Sequence, residues 1–179
     1  MLIFRVNRLK YETFYLDQTI IGVLITIGVI SIFWTIYVDL VKFEKSKSYI
    51  RLLPISSAII CAAISIKINN DIQINFDKSS LLKVFYDGGF NGNSIDFKVD
   101  GTYIFDNSAM GFSSFKYGHY KIDEDTISLD KQIIGKVIKT NRLIIGSGAD
   151  YESKNLFQFD NKGINLKNST VFRIVEDNR

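Results

Sequence analysis

The chain has 179 residues, with 22 Lys and Arg against 19 Asp and Glu, a formal net charge of +3. That length allows one ordinary domain, or a small domain plus a membrane segment. The excess charge lies in residues 1–70, where eight basic residues face four acidic ones, whereas residues 71–179 carry fourteen against fifteen.

A basic part beside apolar runs points to anionic lipid headgroups, and a nucleic-acid polymer is not an expected partner. Residues 20–38, IIGVLITIGVISIFWTIYV, contain no charge and are bracketed by Asp17 and Asp39. About 20 residues at 1.5 Å each cross a hydrocarbon layer of ~30 Å, so this run is expected to span. Trp34 and Tyr37 fall near its end, where amphipathic rings favour the interface. Large residues stand where a signal sequence would place small ones, so cleavage is not expected.

A second run, LLPISSAIICAAISI, predicts another span over residues 52–68, with Arg51 and Lys67 reaching out to the headgroups. Pro54 falls in its first turn, where the missing N–H costs little. Ser57, Ala58, Ala62 and Ser65 form a small-residue face that lets helices approach closely. Either the two spans pack as a hairpin, or this face also packs against other copies of the chain. Cys61, the only cysteine, reads as a small apolar filler and rules out an intramolecular disulfide or a cysteine-based metal site. Six basic residues flank the hairpin on the terminal side (Arg5, Arg8, Lys10, Lys67, Lys78, Lys83), against four in the connector (Lys42, Lys45, Lys47, Arg51). The bias predicts a two-pass topology with the termini and the second domain in the cytoplasm.

From residue 71 the pattern changes to alternation. SIDFKVD places Ile95, Phe97 and Val99 on one face and Asp96, Lys98 and Asp100 on the other, a half-buried strand. LLKVFYD, TYIFDN, FKYGHYKI, TISL, NRLIIG, NLFQFD and VFRIVE continue the theme. Gly88-Gly89, Asn91-Gly92-Asn93, Asp100-Gly101, Asp123-Glu124-Asp125, Gly146-Ser147-Gly148 and Asn161-Lys162-Gly163 supply turn chemistry between them. About eight short antiparallel strands in some hundred residues predict a small up-and-down barrel, lipocalin-like, preceded by the membrane hairpin. Such a barrel has room inside for side chains or for one small ligand.

No catalytic motif stands in the sequence, so an enzyme is not expected. His119 is the only histidine and has no cysteine or second histidine to share a zinc ion; no metal and no cofactor are expected. The glycine-rich GSGAD at 146–150 and the acidic residues 123–125 read as turns. Tyr103, Tyr117, Tyr120 and Tyr151 offer rings and hydroxyls, and Arg142 and Arg173 offer forks that match phosphate. Each is either ordinary barrel packing and surface or part of a ligand site. Tyr103, Tyr117, Arg142 and Arg173 are the candidates for ligand binding.

The order of parts carries a resemblance. A short basic N-terminus, IIGVLITIGVISIFWTIYV, a basic connector, LLPISSAIICAAISI, and then a β domain from LLKVFYD through FKVDGTYIFDN and HYKIDEDTISLD to VFRIVE follow one another. This layout resembles the two-transmembrane, β-strand-rich effectors associated with CD-NTase enzymes in bacterial CBASS antiphage operons. The resemblance implies that the barrel senses a cyclic dinucleotide made by the partner enzyme. It further implies that copies then associate in the bacterial inner membrane and disrupt it. Two other roles fit the same parts: a membrane-tethered lipocalin-like binder of a small ligand, and an immunity protein against a membrane-targeting toxin.

Overall fold

Uninterrupted apolar sequence makes the longest element of the chain. In the computed structural model, which describes residues 2–147, 154–160 and 169–179, α2 runs from Asp17 to Ser46, 30 residues and about 45 Å. The hydroxyls of Thr26, Ser31 and Thr35 donate to the carbonyls of Gly22, Ile27 and Ser31, so these three hydroxyls are satisfied within the helix. The helix stops at Lys47, which turns left-handed (φ 52°) and donates its N–H to the Phe43 carbonyl at 2.7 Å. A short 3-10 turn, Tyr49–Leu52, leads into α3, Leu53–Asp77. Residues Thr19–Ser46 and Leu53–Asp77 are both long and apolar enough to cross a membrane. The second helix therefore continues well past Lys67.

Before α2 stand α1 (Leu2–Arg8) and a short strand β1 (Glu12–Phe14). Asp17 joins these pieces: it accepts from Arg5 Nη1 at 3.0 Å and from the Phe14 N–H at 2.8 Å. On α3, Ala58 and Ala62 are half-buried and Ser65 is buried, whereas Ser57 is exposed. The hydroxyls of Ser57 and Ser65 donate to the carbonyls of Pro54 and Cys61 in their own helix. These helical residues, up to Asp77, form one unit, and Lys78–Arg179 form a second.

The second unit is a closed antiparallel barrel of eight strands. They are β2 (Ser80–Asp87), β3 (Asn91–Lys98), β4 (Thr102–Ala109), β5 (Phe112–Asp123), β6 (Thr126–Leu129), β7 (Arg142–Gly146), β8 (Asn155–Phe159) and β9 (Phe172–Asp177). Each pairs with its successor in the chain, and β9 returns to pair with β2. This is the up-and-down order that the hairpin spacing predicts. Alternation sets the inner face: Leu82 and Val84, Ile95 and Phe97, Tyr103 and Phe105 are all 1 % exposed or less. Phe172, Leu156, Leu143 and Ile127 complete the interior from the other side. The barrel is filled by its own side chains.

Three local expectations need correction. Asn91-Gly92-Asn93 is not a turn but the start of β3; pairing with Tyr86 and Asp87 on one side and Asn107 to Ala109 on the other outweighs its turn propensity. Val99 is not a core residue, because the strand ends at Lys98 and Val99 lies 63 % exposed in the turn. Lys98, expected on the solvent side, is buried: its Nζ meets Asp96 Oδ2 at 2.7 Å and the Lys78 carbonyl at 2.8 Å. The β4–β5 hairpin turns on Met110-Gly111, both at positive φ (46° and 84°), a geometry that matches strand twist but that Met does not advertise.

The long connection between β6 and β7, residues 130–141, folds inward. Ile134 and Ile138 join the core, and at Gly135 (φ +58°) an added Cβ would meet the Phe105 ring. Gln158, fully buried on the inner side of β8, fastens this segment. Its Oε1 accepts the Lys139 N–H at 2.8 Å, and its Nε2 donates to the carbonyls of Val137 and Thr170 at 3.1 and 3.0 Å.

Candidate ligand-binding site

The barrel has two dissimilar ends. The chain enters at Lys78 on one, where the turns at 99–101 and 124–125 also lie and where Arg179 Nη1 reaches Asp125 Oδ1 at 3.2 Å. At that end Lys78 donates to Asp100 and holds its carboxyl down to about 2. The other end carries the β2–β3 and β4–β5 turns and the inward segment 130–141.

At this second end the inner face changes from apolar to polar. The register aligns Tyr86, Asn93, Asn107 and Ser114 side by side across β2, β3, β4 and β5. One step further in, Val84, Ile95 and Phe105 form the row beneath, and Lys116 stands opposite Phe105. Phase fixes their direction: Asn93 shares the face of Ile95 and Phe97, and Asn107 that of Phe105 and Tyr103. Tyr86 is held by an edge contact with Phe172, ring centroids 6.4 Å apart.

Asn93 is only 5 % exposed, and its Oδ1 is buried without a hydrogen-bond partner. Such an orphan costs about 1–3 kcal/mol. Among the described residues, the side chains of Tyr86, Asn107, Ser114 and Lys116 also make no hydrogen bond or ion pair. Five polar groups with unspent hydrogen-bonding capacity therefore share one patch. The arrangement supplies a buried acceptor, two amides, a hydroxyl, an exposed aromatic edge and a cation above an apolar floor.

The four expected ligand residues are not brought together. Tyr103 is in the core, 1 % exposed, and donates its hydroxyl to Asp130 Oδ1 at 3.1 Å. Burial, reinforced by the Asp130 charge, pushes its phenol well above the usual range, so it is a neutral structural donor. Gly118 beside it is required, because a Cβ there would strike both the Tyr103 hydroxyl and Asp130. Tyr117 stands on the outer face of β5 opposite Ile104, half-buried. Arg142 and Arg173 are exposed on the outside of β7 and β9. Tyr120 is buried and donates to the Lys98 carbonyl at 2.7 Å. Tyr151 lies outside the described residues, as do Gly148 to Asp150 of the GSGAD stretch and the Asn161-Lys162-Gly163 turn.

Neither a charged fork nor a cluster of rings marks this polar patch in the sequence. Its signal was phase: Asn93 two residues before Ile95, and Asn107 two after Phe105, put amides on the core face of strands. A second polar feature lies on the outer face, where Ser108 donates to Asp106 Oδ2 at 2.8 Å. Desolvation there raises the Asp106 carboxyl above its usual range. Among the described residues, no group of three His, Cys, Asp or Glu is placed to hold a metal ion.

The fold is thus an eight-stranded up-and-down barrel on a chain that also carries two helices long and apolar enough to cross a membrane. No family model, curated protein or solved structure matches the chain.

Proposed function

We propose that the chain is a two-pass protein of the bacterial inner membrane whose barrel, in the cytoplasm, senses a cyclic nucleotide and whose helices then associate and disrupt the bilayer. This is the role that the resemblance to CBASS membrane effectors implies. The observation that carries the sensing half is the patch of unpartnered polar groups on the inner face: Tyr86, Asn93, Asn107, Ser114 and Lys116. Desolvating a phosphate requires a cation or several N–H donors, and Lys116 and the two amides offer them. The membrane half is supported by two helices of sufficient length whose apolar residues are largely exposed, Ile27, Ile30, Phe33 and Ile60 among them.

A lipocalin-like cavity for an apolar ligand is disfavoured, because Phe97, Tyr103, Phe105 and Phe172 occupy the interior. The ligand position therefore moves from the barrel centre to its hairpin end. The test is calorimetry on the full chain in detergent with a panel of cyclic dinucleotides and trinucleotides. Binding of one member, weakened at least tenfold by Lys116→Met, is the expected result. No heat with any member would remove the nucleotide role.

A further inference from the structure

Which ligand groups the patch would recognise follows from what it leaves unsatisfied. The deepest group is an acceptor, Asn93 Oδ1, so the ligand must bring a donor to it. Directly opposite on β4 stands Asn107, with Cβ atoms of such a pair about 5 Å apart. Its amide carries both a donor and an acceptor. Two amides so placed complement a planar edge that presents an N–H donor beside a ring-nitrogen acceptor. Adenine has this edge, and asparagine is a well-suited partner for it. On the other side of Asn93, the Tyr86 ring is 37 % exposed and gives a surface for stacking. Lys116 lies two strands over and two residues along from Asn93, roughly 12 Å between Cα atoms from standard strand spacings. A nucleotide whose base sits between the asparagines would bring its phosphate toward that cation.

We propose that the Asn93–Asn107 pair reads the amino-bearing edge of an adenine while Lys116 meets the attached phosphate. This rests on the reading above that a cyclic nucleotide is the ligand, and it specifies the base. The discriminating contact is the exocyclic amine. A site built around a hydrogen bond rejects an analogue that lacks the group, because its own buried partner is then left unpaired.

The experiment compares cyclic di-AMP with its 6-deamino analogue, in which a hydrogen atom replaces each exocyclic amine and N1 stays an acceptor, by calorimetry on the full chain in detergent. Cyclic di-AMP should bind about 10- to 100-fold more tightly. In Asn93→Leu that preference should vanish, with cyclic di-AMP falling to the level of its deamino analogue. Because the two ligands are compared on the same folded wild-type protein, a misfolded variant cannot by itself decide the outcome. Equal binding of the two to the wild type, or an undiminished preference in Asn93→Leu, overturns the assignment while leaving nucleotide sensing intact. So does binding confined to cyclic nucleotides without adenine. Failure of every cyclic nucleotide overturns the sensing role itself.

Discussion

Replacing Gln158 with Leu tests whether one buried amide holds the inward segment 130–141 in the barrel. The change keeps the volume nearly constant but removes three hydrogen bonds, to the Lys139 N–H and to the carbonyls of Val137 and Thr170. A typical hydrogen bond contributes about 1 kcal/mol net, and groups left buried and unpaired cost more. Water can reach some of these backbone groups once the segment loosens, so the loss should be about 2–3 kcal/mol. For a domain of this size that lowers Tm by roughly 10–20 °C. The only tryptophan, Trp34, lies in α2, so its fluorescence would not report on the barrel. Hydrogen exchange read by mass spectrometry is the better assay. Protection should fall first in residues 131–141, where Ile134 and Ile138 leave the core, and less in β3 and β4. A variant within 0.5 kcal/mol of the wild type, or one whose exchange rises evenly along the barrel, would refute the clasp.

Asn93→Leu should raise the barrel's Tm by a few degrees, since it removes a buried acceptor with no partner and adds apolar burial beside Ile95; a lower Tm would mean that Oδ1 is satisfied. Gly118→Ala should destabilise by about 1–3 kcal/mol in urea unfolding, because the new methyl group displaces Tyr103 or Asp130 from their shared hydrogen bond; an unchanged midpoint would contradict that packing. Burial raises the phenols of Tyr103 and Tyr120 above their ordinary value near 10, so the folded state favours their neutral forms. Their contribution is complete below pH 10 and is lost as pH rises above it. Absorbance titration at an ultraviolet wavelength sensitive to phenolate should show two of the nine tyrosines ionising only as the barrel unfolds; smooth ionisation of all nine with the fold intact would refute this.

The barrel was legible because its strands are amphipathic with period two and the four turns from β2 to β6 are short. The alternation of SIDFKVD and the Asp100-Gly101 pair place Phe97 opposite Tyr103 with no tertiary information. The apolar stretches of the long helices were legible for the same kind of reason, an uncharged run; their charged extensions, beyond Asp39 in α2 and Lys67 in α3, were not. What was hidden depends on contacts distant in sequence. Nothing local marks residues 130–141 as an inward segment, because Gln158 and Phe105, which hold and receive it, are far along the chain. Lys98 is buried only because the Lys78 carbonyl and Asp96 meet its ammonium. The candidate site was half legible. Asn93 and Asn107 stand in core phase, but their side-by-side register with Tyr86 and Ser114 appears only when four strands are aligned.

In the proposed role, a ligand bound to the barrel switches the helices to attack a bilayer. A ligand shifts such an equilibrium only by its differential affinity for the two states, about 5.5 kcal/mol for a change from 1 % to 99 %. The direct measurement is dye release from liposomes of bacterial lipid composition carrying the full chain, with and without cyclic di-AMP. Release that begins on adding the nucleotide, and is lost in both Lys116→Met and a variant with Ala58→Leu and Ala62→Leu, is the predicted result. Release that is the same without nucleotide, or none at any nucleotide concentration that saturates the barrel, would rule out the ligand-gated attack.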